Sequence, residues 1–166
     1  MNLEFTNGGS FATTSGTFAI TGAANTHATT TVINYAIDGF GYIKTAITGG
    51  TTPTTDALKG TLITLTANQA RTVIWALDAA GTVTATAGPV VPWNGGTTAP
   101  DYGFGPSAIP QLPSWAAGSA PFAITLLKAG STLVGTWTFG TSNWNAAGFT
   151  SVIKNLVGIP SRPLLG

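Results

Sequence analysis

Ionised side chains are almost missing from this chain: six Lys and Arg with five Asp and Glu make up 7% of 166 residues, against ~25% in an ordinary soluble domain. The consequence for the fold is direct. Solvent-facing helices draw on Glu, Lys, Gln and Arg, which lose little freedom in a helix. All four are scarce here, and glutamate occurs once, as Glu4. Threonine fills the polar positions instead. Thr, Val, Ile and the aromatics favour pleated structure, so the chain is expected to be all-β.

The same scarcity constrains the surface. A 16.7 kDa monomer exposes roughly 7,600 Å², or one charge per about 700 Å². Uncharged patches beyond ~400 Å² tend to associate. Either threonine keeps such a surface wet, or other chains cover much of it. The second reading is preferred, and it describes a building block rather than a catalyst.

Hydrophobic residues make up 43% of the chain, enough for one cored domain. The net charge is +1 and the basic residues are scattered, so no cluster matches the footprint that phosphates require. Nucleic acid is not an expected partner. Cysteine is absent, which excludes disulfides and zinc–thiolate sites. The longest apolar region, 122–134, is interrupted by Thr125, Lys128, Gly130 and Ser131 and falls short of the ~20 residues that a bilayer requires. No membrane partner is expected. The first residues, Met1-Asn2-Leu3-Glu4, lack the basic and apolar regions of a secretory signal, so synthesis in a cytoplasm is expected.

Residues 1–28 are rich in Gly, Thr, Ser and Asn, with Phe5, Phe11 and Phe18 spaced among them. They read as an extended N-terminal arm, either a free tail or a segment lying on a neighbouring subunit with the phenylalanines as anchors. The β domain is expected over 29–166. Strands are expected at 31–37 and 40–47, joined by Asp38-Gly39, a strong two-residue hairpin signal because both residues tolerate positive φ. Further strands are expected at 61–65, 72–77 and 82–87, the last two joined by a turn over 78–81. In 82–87, Val83, Ala85 and Ala87 alternate with Thr82, Thr84 and Thr86, the pattern of a half-buried strand with an uncharged outer face.

Residues 88–121 hold seven of the ten prolines, with Trp93, Tyr102, Phe104 and Trp115 among them. So long a loop in a compact domain is usually functional or disordered. Its aromatics argue for an excursion of fixed shape, packed on its own sheet or on a neighbour. Strands resume at 122–127 and 132–139, where Leu133, Trp137 and Phe139 share one face. Residues 147–156 suit a strand or a short helix. The expected architecture is an antiparallel β-sandwich or small barrel of seven to eight strands.

Catalytic chemistry finds little support. Glu4, Asp38, Asp56, Asp78 and Asp101 offer no evident pair across a cleft, and Asp38 and Asp78 suit turns. His27 is the only histidine. It reads as a bystander, since a nucleophilic triad or a transition-metal site needs converging partners. No enzyme activity, cofactor or metal is expected. Trp93, Trp115 and Trp144 are expected in loops, where tryptophan serves as a protein–protein anchor, as own-core packing, or as a platform for sugar rings. The expected interface residues are Phe5, Phe11, Phe18, Trp93, Tyr102, Phe104 and Trp115.

Several segments resemble a group of tailed-phage head decoration and minor virion structural proteins. They are Ile33-Asn-Tyr-Ala-Ile-Asp-Gly-Phe-Gly-Tyr-Ile-Lys-Thr-Ala46, Leu77-Asp-Ala-Ala-Gly-Thr-Val-Thr-Ala85, Ile109-Pro-Gln-Leu-Pro113, Gly140-Thr-Ser-Asn-Trp-Asn-Ala-Ala-Gly148 and Ile159-Pro-Ser-Arg-Pro163. In order they cover about residues 30–163, and the arm before Thr29 has no counterpart. The resemblance implies a β-rich capsid decoration, or cement, subunit on the outside of a phage head. The implied partners are the major capsid protein and further copies of the chain in a homotrimer. The alternatives are another virion component, such as a tail or fibre subunit, and a carbohydrate-binding module.

Overall fold

The computed structural model describes residues 9–20, 25–93 and 110–157. Among them it forms thirteen strands and no helix. These are β1 (Phe11–Ala12), β2 (Phe18–Ile20), β3 (Thr26–Thr29), β4 (Ile33–Ile37), β5 (Phe40–Lys44), β6 (Gly50–Thr51), β7 (Thr64–Leu65), β8 (Gln69–Asp78), β9 (Val83–Ala87), β10 (Val91–Pro92), β11 (Ser119–Ala129), β12 (Trp137–Thr138) and β13 (Phe149–Asn155). Every pairing is antiparallel. The count exceeds the expected seven to eight because five strands are only two residues long. The expected strand at 132–139 shrinks to β12, while the ambiguous 147–156 resolves as β13.

The largest sheet is built on β8, which pairs with β11 along one edge and with β9 and then β10 along the other. β13 extends it beyond β11. Period-2 alternation sends Val73, Trp75 and Leu77 to one face and Ala70, Thr72, Ile74 and Ala76 to the other. All seven are buried. A strand covered on both faces needs a continuous apolar run, which 72–77 supplies. In β11 the register shifts between Pro121 and Ala123. Such a bulge opposes two residues to one on the partner strand, and both Phe122 and Ala123 reach the core.

Two three-stranded sheets, β1-β4-β5 and β2-β3-β6, complete the sandwich. β1 and β4 lie against β11, and β2 lies against β13. Their inward residues Ala12, Phe18, Ile33, Tyr35 and Ile37 join Trp75, Leu77 and Phe122 in one core. Trp75 is its aromatic centre, with Phe18 at 4.6 Å, Phe139 at 5.1 Å and His27 at 5.3 Å between ring centroids. Beside it Trp137 stacks on Phe149 at 3.9 Å.

The hairpin turn is as the sequence predicts. Asp38 and Gly39 have φ of 50° and 85°, and Ile37 pairs with Phe40. In the second turn the Asp78 carboxylate accepts from Thr82 N at 2.7 Å. In β9, Ala85 and Ala87 face the core as expected, but Thr86 on the opposite face is also buried. That face is covered at Thr86 only; Thr84 is half-buried and Thr82 is exposed, as the pattern predicts.

The expected arm needs correction over its described part. Residues 11–12, 18–20 and 26–29 are strands of the chain's own sheets. Ala12 is fully buried, and Phe18 is 4% exposed. Phe18 N donates to Asn155 Oδ1 at 2.7 Å, tying β2 to the far end of the chain. Phe18 is thus a core residue and not an anchor on a neighbour. Phe11 pairs opposite Ala36 on the outer face of β1 and is half-buried.

Trp93 is corrected in the same way. It is fully buried in its own chain, with Lys128 Nζ 5.5 Å from the ring centroid, a cation–π distance. At the other end of the excursion Thr72 Oγ1 donates to Gln111 O. A Cβ on Gly88 would lie 2.5 Å from that carbonyl, so glycine is required for the close approach. The described ends of the excursion therefore pack on the outer face of the chain's own central sheet.

Candidate functional site

Two features of the described surface stand out: an apolar strand edge and a cleft backed by the single histidine. The edge is β5. Its neighbour β4 is paired on both sides, but β5 has no second partner among the described residues. Phe40 and Ile43 on this strand are 72% and 73% exposed. In a two-residue hairpin the closing pair is hydrogen-bonded and bonded pairs alternate. From the register Ile37↔Phe40, Tyr35↔Tyr42 and Ile33↔Lys44, the backbone groups of Gly41 and Ile43 are those that point away from β4. A Cβ on Gly41 would meet nothing within 4 Å. The edge therefore offers free N–H and C=O groups, no crowding, and two large apolar side chains, which is how an added strand is received.

The cleft lies where β3, β5 and β6 meet the turn before β9. It has a volume of about 220 Å³, and its walls include His27, Lys44, Gly50, Thr51 and Thr82. His27 alternates inward from β3 and is 2% exposed. Neither ring nitrogen has a hydrogen-bond partner. Burial, and then the neighbouring Lys44 charge, push its pKa down to about 4, so the ring is neutral at pH 7. The sequence pattern missed this. A histidine among threonines and alanines gives no sign of burial, and in β3 the inward residues are His27 and Thr29 while the apolar Ala28 is only half-buried.

The three acids among the described residues have structural surroundings, and Glu4 and Asp101 lie outside those residues. Asp56 is 3% exposed, and its carboxylate accepts from the N–H groups of Leu58, Lys59 and Ala87, each at 2.9 Å. Burial works against its charge, but those three donors and Lys59 Nζ at 3.8 Å outweigh it and hold the pKa below the usual carboxylate range. Asp38 and Asp78 serve turns. No three His, Cys, Asp or Glu converge among the described residues.

Of the expected interface residues, Phe11 and Trp115 are half-buried, Phe18 and Trp93 are internal, and Phe5, Tyr102 and Phe104 lie outside the described residues. Trp144, expected in a loop, is 6% exposed and packs 5.0 Å from Trp137. Two of the three tryptophans that could have stacked on a sugar therefore face inward. The exposed aromatic among the described residues that sequence reasoning passed over is Phe40, which shares the face of Ile37 and Tyr42 but sits at the hairpin end of an edge strand, beyond the reach of the core. Compared with family models, curated proteins and solved structures, the chain matches none.

Proposed function

We propose that this protein is a structural assembly subunit, and specifically a capsid decoration subunit that binds and braces the outside of a phage head. The observation that carries the reading is the open β5 edge with Phe40 and Ile43 exposed on it, in a chain with only 7% charged residues. An apolar edge of this kind is an association hazard in a free monomer and an asset in an assembly. At ~25 cal/mol per Å² of apolar area, burying it is a useful gross term at each seam, reduced by ordering and desolvation. Several such contacts in one oligomer act together through effective concentration. The resemblance of the β4–β5 segment to virion decoration proteins supplies the head as the location, the major capsid protein as the partner and a homotrimer as the working form.

The test is co-sedimentation with heads that lack the protein. The intact chain is expected to pellet with them, and a Phe40→Ser/Ile43→Ser double variant with an unchanged melting temperature is expected to stay in the supernatant. Failure of the intact chain to bind, or undiminished binding by the double variant, overturns the reading.

A further inference from the structure

We propose that the β5 edge, open among the described residues, is completed by the β5 edge of a second copy of this chain, paired antiparallel about a twofold axis at Tyr42. The inference rests on the assembly reading of that edge and names its occupant. The backbone restricts the registers. Within β5 only Gly41 and Ile43 direct their N–H and C=O groups away from β4, and in an antiparallel ladder such residues must face each other. Placing Gly41 opposite Ile43 of the second copy, and Ile43 opposite its Gly41, gives two hydrogen-bonded pairs, each exchanging both N–H···O bonds. Tyr42 then lies opposite Tyr42 of the second copy between them.

The side chains select this register. Gly41 and Ile43 lie on the outer face of the sheet, across from Ala36 and Asn34. A Cβ on Gly41 would meet nothing within 4 Å, so the exposed Ile43 side chain of each copy enters the space that glycine leaves on the other. On the opposite face the exposed Phe40 comes across from Lys44 of the second copy, a cross-strand cation–aromatic pair formed at both ends. Tyr42, stacked on Tyr35 at 5.4 Å, meets its own copy at the axis. The neighbouring registers are poorer. Ile43 opposite Ile43 brings the two Lys44 residues within about 7 Å along the strands and sets Phe40 against Ala46, outside β5. Gly41 opposite Gly41 sets Ile43 against Gly39 in the turn. The selected register holds the two lysines about 14 Å apart along the strands, beyond the ~8 Å screening length. A seam of five residues is shorter than a stable interface of ~1,200 Å² requires, so the pair is weak and reversible. A twofold contact does not close a threefold ring; on a head it joins one oligomer to the next.

The test uses the full chain alone in solution, without heads. Sedimentation velocity over concentrations up to about 1 mM is expected to show reversible association through β5. Gly41 has open space around it and no positive φ, so Gly41→Val suits a strand and should not lower the melting temperature. It fills the space meant for Ile43 and is expected to weaken association about tenfold or more. Ile43→Gly is expected to weaken it similarly. Gly41→Ile combined with Ile43→Gly exchanges the two halves of each pair and is expected to restore association. Cysteine is absent from the chain, so single-cysteine variants report the register. Oxidised Tyr42→Cys is expected to link two copies at least about tenfold faster than Phe40→Cys, because a non-hydrogen-bonded antiparallel pair has Cα atoms ~4.5 Å apart, within disulfide range. A chain that stays monomeric throughout the series, undiminished association by Gly41→Val, or linking no faster at position 42 than at position 40 overturns the inference. Heads bound by a chain that is monomeric alone would overturn it and leave the assembly reading standing, whereas association through β5 without binding to heads would support it and overturn that reading.

Discussion

The indole Nε1 of Trp75 donates to the hydroxyl of Thr125 at 2.7 Å, and both residues are fully buried. The bond crosses from β8 to β11 between diagonal neighbours on the core face, since Trp75 is paired with Ala123 and Thr125 with Val73. It gives the tryptophan at the aromatic centre of the core the polar partner that a buried indole needs. Thr125→Val keeps the β-branched shape and removes the acceptor. The expected cost is about 1–3 kcal/mol, because the indole N–H stays buried and unpaired. Urea unfolding should show a lower midpoint with an unchanged slope. In the Trp75→Phe background the same substitution should cost much less, which a double-mutant cycle reads directly.

Asp56 closes its own turn by accepting from Leu58 and Lys59 and ties that turn to β9 by accepting from Ala87. Asp56→Ala leaves the Ala87 N–H buried without its acceptor and should destabilise by at least about 2 kcal/mol. Lys59→Met, which removes an exposed ion-pair partner and its hydrogen bond to Ala87 O, should cost less than Asp56→Ala, about 1 kcal/mol. The folded pKa of Asp56 lies below its unfolded value near 3.8. Its contribution is therefore fully present above that pH and is lost as pH falls below it. Asp56→Asn should flatten stability-versus-pH curves in that acid window alone.

His27 acts in a separate window. Its folded pKa of about 4 lies below the ordinary histidine value of 6.5, so between those values the unfolded chain holds more protons on this side chain. Stability should be independent of His27 above pH 6.5 and should fall as pH drops toward 4, by at most about 3 kcal/mol. Thermal melts between pH 7.5 and pH 4.5 check this. His27→Phe should remove the slope, and an undiminished slope in that variant would assign the effect to other groups.

Two glycines with the same backbone demand should respond very differently to alanine. Gly148 has φ +79° and a Cβ would lie 2.3 Å from Leu133 N, whereas Gly60 has φ +66° and nothing within 4 Å. Gly60→Ala bears only the left-handed strain of roughly 1–2 kcal/mol. Gly148→Ala adds a clash with rigid backbone and should cost more than about 4 kcal/mol. Comparable melting temperatures for the two variants would contradict the close packing of 130–133 on 148.

Parts of the fold were legible because their causes are local. Asp38-Gly39 fixes a hairpin through two adjacent positive φ values, and nothing distant is needed to specify it. The run 72–77 announces a strand through its Val, Ile and Trp, while its burial on both faces emerges only in the structure. The candidate sites were far less legible. Phe40 and His27 each carry meaning only through what lies beside them: an unpaired strand edge in one case, and a cleft shared by three strands and a turn in the other.

Sequence alone determined that this chain is all-β, because it lacks the charged side chains that clothe helices and repeats the alternation that pleated strands require. Only the tertiary structure decided which aromatics are hidden. Phe18 goes inward because β2 is held to Asn155, 137 residues away. Trp93 goes inward beside Lys128, and Trp144 against Trp137 and Phe149. Burial is a property of neighbours, and these neighbours are brought together by pairings between distant strands that no local pattern encodes.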